Sequence, residues 1–275
     1  MWDFWRVILL AAVQGVAEFL PVSSSGHLQV LGHWLGFDAE ANLTLNVVLH
    51  AGTLVAILIY YLQKILSLVL EALFRKDWHV ILLVLIGSVP TGLIGVAIKK
   101  SGLDELLFGS IWIPVVGFAV TATVLGRVFR REQRCGGRNT GMPLADCGFG
   151  AAFWIGVAQG LAIMPGISRS GSTIAAGVKL GLKKEDAAEF SFLLAVPAIA
   201  GAMLLECLKM FQGDAPAADG VSSGVLAAGF LVAAAVGYLA LRGLIALLRR
   251  GRLIYFSYYL YTIAVVVAAV QLIWG

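Results

Sequence analysis

The sequence predicts an all-α integral membrane protein, an inverted-topology repeat with six full transmembrane helices and two re-entrant helix-loop-helix hairpins. Three observations carry this reading. Of 275 residues, 60% are hydrophobic and 13% charged, with a mean hydropathy of +0.90, a balance that soluble domains do not reach. Six apolar stretches, 43–62, 79–98, 109–128, 189–210, 224–248 and 254–274, are each long enough to cross ~30 Å of hydrocarbon as a helix. The chain also matches itself at an offset of 145 residues. That register pairs Gln14-Gly15-Val16-Ala17 with Gln159-Gly160-Leu161-Ala162, Ser23-Ser24-Ser25-Gly26 with Ser168-Arg169-Ser170-Gly171, and Leu35-Gly36 with Leu180-Gly181.

One register fitting three separated patches predicts two copies of one unit, about 1–135 and about 146–275, within a single membrane domain spanning 1–275. The first apolar run, 5–20, has only Arg6 ahead of it and no small-residue cleavage site behind it, so it is expected to stay in the mature protein. Each copy reads as a short apolar helix, a Pro/Gly/Ser break, a second short helix and three spans. The short pairs are 7–20 with 27–35 and 149–164 with 172–180, and their second arms are too short to cross a bilayer. Re-entrant hairpins follow. A hairpin returns to its own side, so each copy makes three net crossings, and an odd number turns the second copy upside down. Broken helices in such an arrangement meet at the membrane midplane.

Charge supports the same topology. The loop 129–148 carries Arg130, Arg131, Arg134 and Arg138 against Glu132 and Asp146, and the loop after Leu248 carries Arg249, Arg250 and Arg252. Both are expected in the cytoplasm. The segment 63–78, with Lys64, Arg75 and Lys76, falls on the same side, while 212–223, with Asp214 and Asp219, falls outside together with both termini. The net charge of +4 sits in loops, where it orients the protein; no stripe of interleaved arginine and aromatics points to nucleic acid. Cys135, Cys147 and Cys207 have neither disulfide nor metal-knuckle spacing and read as bystanders.

Two polar clusters interrupt the apolar chain. One runs from Gln14 through Glu18, Pro21, Ser23, Ser24, Ser25 and Gly26 to His27; the other runs from Pro165 through Ser168, Arg169, Ser170, Gly171 and Ser172 to Thr173. An arginine at a bilayer centre costs ~2.5 to 3.5 kcal/mol on insertion scales, so Arg169 and Glu18 are expected to face a partner or a wet cavity. Three features point to a phosphate site. Ser23 to Gly26 and Ser170-Gly171 lead into helices, where backbone N–H groups and hydroxyls meet a positive dipole end. Arg169 offers a planar, permanently charged fork for phosphate oxygens. Gln14 and Glu18, four apart on one helix face, are candidates to hold a hydrated divalent cation shared with a diphosphate.

Serines in broken membrane helices often cap freed backbone groups, and a Glu–Arg pair can simply join two helices. Neither accounts for the clusters as a whole, with His27 placed to act as nucleophile or general acid near neutral pH. His33 reads as an interfacial or packing residue, Asn46 and His50 as interhelical hydrogen bonders, and His79, beside Asp77 and Trp78, as an interface anchor. Lys183, Lys184, Glu185 and Asp186 read as a solvated loop.

The pair of motifs, Gln14-x-x-x-Glu18 with Pro21-Val-Ser-Ser-Ser-Gly-His27 and Pro165-Gly-x-Ser-Arg169-Ser, resembles the signature of the undecaprenyl-diphosphate phosphatases, also called bacitracin-resistance proteins. The likeness extends over chain length, span pattern and duplication. It implies release of phosphate from undecaprenyl diphosphate to regenerate a carrier lipid for envelope polymers, a divalent cation (Mg²⁺ or Ca²⁺), and a bacterial inner-membrane site open to the outer, periplasmic face. By motif position it makes Glu18, Ser24, His27 and Arg169 the catalytic candidates. Ser23, Ser25, Gly26, Ser168, Ser170, Gly171, Ser172 and Thr173 become substrate-binding candidates, and Glu18 with Gln14 the metal candidates. The first acidic position of that family is often Glu; here Gln14 can ligate a metal but cannot act as a base. The nucleophile stays open between His27, Ser24 and water. An apolar groove for the prenyl tail is expected beside Phe19, Phe153 and Trp154. The rival reading is a transporter or flippase of the lipid phosphate, which does not require a reactive His and Ser beside the arginine. Homo-oligomerisation is left open.

Overall fold

With no water in hydrocarbon to satisfy free N–H and C=O groups, an apolar chain closes its hydrogen bonds within helices. The structure, a computed structural model describing residues 4–35, 43–134, 141–212 and 221–274, contains no strand among these residues. In chain order the helices are α1 (Phe4–Phe19), α2 (Ser24–Leu35), α3 (Leu43–Tyr60), α4 (Leu62–Leu70, continued by a π-helical turn Glu71–Arg75), α5 (His79–Lys100), α6 (Leu103–Phe108), α7 (Trp112–Arg134), α8 (Phe149–Leu161), α9 (Arg169–Lys179), α10 (Lys184–Gln212), α11 (Ser223–Arg249) and α12 (Ile254–Trp274).

Five of these, α5, α7, α10, α11 and α12, are by themselves long and apolar enough to cross a membrane. The sixth span departs from the straight helix expected over 43–62. It qualifies only as α3 with α4, a pair bent by 65°. The bend falls where charge begins: Lys64, just past it, reaches Glu189 on α10 at 2.9 Å, while Leu62, Leu66 and Leu70 remain on an exposed face. The solvated loop expected over Lys183 to Asp186 is also corrected, because α10 starts at Lys184. Glu185 and Asp186 lie in its first turn, where carboxylates complement the helix dipole, and Asp186 Oδ1 accepts from the Leu144 N–H at 2.8 Å.

Helices from the two halves of the chain pack on one another: α1 and α3 against α11, α8 against α5, and α7 against α12. In lipid, close backbone approach replaces the hydrophobic drive. A Cβ at Gly15 of α1 would come within 3.0 Å of the Ala233 carbonyl and the Gly237 N of α11. Gly156 of α8 lies so close to the Gly87 carbonyl of α5 that no side chain fits. Gly156→Leu is therefore expected to force these helices apart. At ~1 to 3 kcal/mol for overpacking, it should lower the thermal midpoint in detergent by about 5 °C, measured by tryptophan fluorescence. The core centres on the fully buried Phe19, Phe118, Phe129, Phe190 and Phe192; Phe118 packs against Gly26 and Phe192 against Arg169.

Cys147 and Cys207 form no disulfide. Burial in the loop before α8 pushes the Cys147 thiol up, which disfavours the thiolate. Cys135 lies outside the described residues.

Candidate active site

The two polar clusters form the breaks between α1 and α2 and between α8 and α9, and they are held by parallel sets of hydrogen bonds. In the first, Ser23 Oγ accepts from the Gly26 N–H at 3.3 Å and lies 3.4 Å from Ser25 Oγ. In the second, Ser168 Oγ caps α9 by accepting from the Gly171 N–H at 3.1 Å and lies 3.3 Å from Ser170 Oγ. The one marked difference is strain. Ser23 adopts a left-handed φ of 69°, uncommon for a residue with a side chain, whereas Ser168 has φ −74°.

The bends cross in direct contact. Ser23 Oγ accepts from the Gly166 N–H at 3.1 Å, and Ser170 Oγ donates to the Leu20 carbonyl at 3.3 Å. A Cβ on Gly26 would lie 2.8 Å from Gly166 N, so only glycine permits this crossing. Thr121 of α7 clamps the second bend, accepting from the Ser168 N–H at 3.0 Å and donating to the Gly166 carbonyl at 3.1 Å.

Above the crossing, charge concentrates on one pair. Arg169 Nη2 donates to Glu18 Oε1 at 2.6 Å. Glu18 Oε2 accepts from Ser24 Oγ at 2.8 Å and from Gln14 Nε2 at 3.3 Å. Two buried atoms here have no partner among the described residues: Arg169 Nη1 and Gln14 Oε1. The first is an unspent donor on a permanent cation. Phe192 lies under the guanidinium, 5.9 Å from ring centroid to Cζ.

A cavity of about 600 Å³ opens onto this pair. Glu18, Ser23, Ser24, Ser25, Ser168 and Arg169 line it, joined by His50 of α3, Thr91 of α5 and Gln159 of α8. Gln14, Gly26, Ser170, Gly171, Ser172 and Thr173 do not line it. Ser170 and Gly171 are spent on the loop bonds above, and Thr173 Oγ1 bonds the Arg169 carbonyl at 2.8 Å and Ser191 Oγ at 2.6 Å. His27 is also outside the lining. Its Nδ1 donates to the Ser23 carbonyl at 2.8 Å. Its Nε2 therefore carries the lone pair and accepts from the Tyr259 hydroxyl at 2.8 Å, with the two rings stacked 5 degrees from parallel. Thr121, Gln159 and Tyr259 were not singled out from sequence. Gln159 had a signal, as the offset counterpart of Gln14; the other two belong to no motif.

The profile of the family described as "Bacitracin resistance protein BacA" matches residues 7–266. The chain belongs to the BacA family. The resemblance read from the two motifs is borne out, and the matched stretch takes in both bends and the whole cavity. Among its BacA relatives, a protein named undecaprenyl-diphosphatase from Rhodopirellula baltica is 43% identical over 263 residues, covering 94% of this chain and 95% of the relative. Proteins of the same name from Methanosphaera stadtmanae and Carboxydothermus hydrogenoformans are 36% and 39% identical, each match covering 97% of both chains.

Proposed function

We infer that this chain is an undecaprenyl-diphosphate phosphatase: it hydrolyses undecaprenyl diphosphate to undecaprenyl phosphate and inorganic phosphate, recycling the carrier lipid for cell-wall synthesis. One observation carries the chemistry. A hydroxyl, Ser24 Oγ, donates to a carboxylate that a guanidinium orients, 2.8 Å and 2.6 Å apart in turn, and all three groups face one cavity. Nucleophile, base and orienting group within hydrogen-bond reach are the mark of covalent catalysis.

In this reading Arg169 Nη1 and the hydroxyls of Ser23, Ser25 and Ser168 take the terminal phosphate. Ser24 Oγ forms a bond to its phosphorus, the bond from phosphorus to the bridging oxygen breaks, and undecaprenyl phosphate leaves with that oxygen. Glu18 receives the serine proton. Water then displaces the serine, releasing phosphate. Positioning and fixed charge supply most of the acceleration. His27, with both nitrogens engaged outside the cavity, holds the strained Ser23 loop in this account and does not attack.

The divalent cation is a proposal of the same kind. The donor set supports it at Glu18 alone: this carboxylate lines the cavity, with the remaining ligands left to water and substrate oxygens, as Mg²⁺ prefers, whereas Gln14 is fully buried outside the lining. Such an ion would supply charge neutralisation on the diphosphate oxygens. Among the described residues no cluster of three or more His, Cys, Asp or Glu offers a dedicated metal cage.

For the tail we propose a route different from the one expected beside Phe19, Phe153 and Trp154. Phe19 is fully buried, and none of the three lines the cavity. The cavity's apolar wall lies between α5 and α10, where Gly92 and Gly201 both leave open space. Gly201→Phe is expected to raise KM for undecaprenyl diphosphate about tenfold and leave KM for a short water-soluble prenyl diphosphate unchanged, read from initial rates with both substrates.

The architecture proposed around this site is the inverted repeat with two re-entrant bends, basic loops inside and the cavity open to the periplasmic side of the inner membrane. Its support is the swapped pairing of α1 on α11 and α8 on α5, together with loop bonds that recur at the sequence offset. The transporter reading is not favoured, since the relatives carry the name of a hydrolase. Purified protein in detergent should release phosphate from a polyprenyl diphosphate on addition of Mg²⁺ or Ca²⁺; lipid movement in vesicles without phosphate release would turn the assignment toward a carrier.

A further inference from the structure

We propose that His50 is a catalytic residue: its Nε2 accepts the proton of the water that hydrolyses the phosphoserine formed at Ser24. This rests on the reading of Ser24 as nucleophile. His50 lies on α3, far in sequence from both motifs, and lines the same cavity as Ser24, Glu18 and Arg169. Its Nδ1 is 3.0 Å from the Asn46 carbonyl, one helical turn back. A carbonyl only accepts, so the ring proton sits on Nδ1 and Nε2 keeps its lone pair. No hydrogen bond is made by Nε2 among the described residues. The imidazole is also within electrostatic reach of the Glu18 carboxylate.

The partnerless polar atoms of the cavity residues divide by chemistry. Arg169 Nη1 is a donor and suits the phosphate. His50 Nε2 and Gln159 Oε1 are acceptors. The Gln159 orientation is set by its Nε2, which donates to the Leu194 carbonyl at 3.4 Å. Acceptors repel a phosphate anion but suit the two O–H groups of a water. While Glu18 holds the serine proton, a second base is the group suited to take a proton from the water. Glu18 accepts from three donors in the resting site and takes the serine proton in the first step. His27 is engaged at both nitrogens. In the second step the water oxygen bonds to phosphorus, one water proton passes to His50 Nε2, the phosphorus–Oγ bond breaks, Ser24 recovers its proton from Glu18, and the imidazolium gives its proton to the departing phosphate.

The test compares His50→Ala and His50→Gln with the unaltered enzyme by rapid quench on mixing with undecaprenyl diphosphate in detergent. Expected is a burst of about one equivalent of undecaprenyl phosphate, phosphate trapped on Ser24 by mass spectrometry, and a steady-state rate lowered about 10²-fold. Free imidazole should restore part of the rate to His50→Ala, and His50→Gln, which keeps an acceptor without basicity, should stay slow. The burst itself shows that the variants are folded and bind substrate. Turnover of His50→Gln within about threefold of the unaltered enzyme would overturn the proposal, as would loss of burst and turnover together in both variants. A Ser24→Ala enzyme that keeps its turnover would instead remove the serine nucleophile; an inactive Ser24→Ala beside a fully active His50→Ala removes His50 alone.

Discussion

Replacing Arg169 with alanine is expected to lower kcat for phosphate release by at least ~10³-fold, the range for losing a guanidinium that neutralises a transferring phosphoryl group. Two effects act together. The substrate loses the one free donor on a permanent cation, and Glu18, 8% exposed and bonded to Arg169 at 2.6 Å, is left as an uncompensated charge. Breaking a buried pair by removing one partner costs ~3 to 5 kcal/mol, so the thermal midpoint should fall as well. Arg169→Ala combined with Glu18→Gln separates the effects, since stability should return and activity should not. Arg169→Lys keeps the charge but cannot bond the carboxylate and the phosphate through one planar fork, and is expected to recover stability and only a small part of the rate. Initial rates of phosphate release and melting curves on the same preparations check both statements.

Ser24→Ala should remove turnover by about 10³-fold or more while leaving the fold intact. The hydroxyl makes one bond, to Glu18 at 2.8 Å, and its loss costs ~1 kcal/mol. Substrate affinity should change little, because Arg169 and the other loop hydroxyls hold the phosphate. The check is a pair of measurements on one variant: the rate of phosphate release and the equilibrium binding of a non-hydrolysable diphosphonate. A variant that binds but does not turn over fits the serine nucleophile; one that keeps more than about a tenth of its rate assigns the attack to water.

The spans and the bends were legible in the sequence for different reasons. Apolar length alone marks a helix that must cross ~30 Å, so the boundaries of α5, α11 and α12 agree closely with expectation. The meeting of Glu18 with Arg169 was legible because a charged residue in lipid needs a partner and the offset of the motifs placed both in matching bends. The 65° turn after α3 was not, since the apolar run continues through it and the Lys64–Glu189 contact beside it belongs to the fold and not to the local sequence. The rest of the cavity wall was hidden in the same way. Ser88 and Thr91, three apart on α5, and Asn46, His50 and Thr53 on α3 each mark a polar face at helical spacing, but the spacing does not say that His50, Ser88 and Thr91 line one cavity. His27 shows the same limit: the motif marks the residue, but one of the two partners that hold its ring, Tyr259, is 232 residues away.

The account stands on the contact between the two bends, and cysteine cross-linking tests that contact directly. A Cβ at Gly171 would lie 3.2 Å from the Pro21 Cβ, close to disulfide range. In a background with Cys135, Cys147 and Cys207 replaced by alanine, the pair Pro21→Cys and Gly171→Cys is expected to oxidise readily in native membranes. The product should appear as a linked peptide joining the two loops by mass spectrometry. Failure of that link, with both thiols open to a small membrane-permeant alkylating reagent, would place the two serine-lined bends apart and contradict a single phosphate pocket.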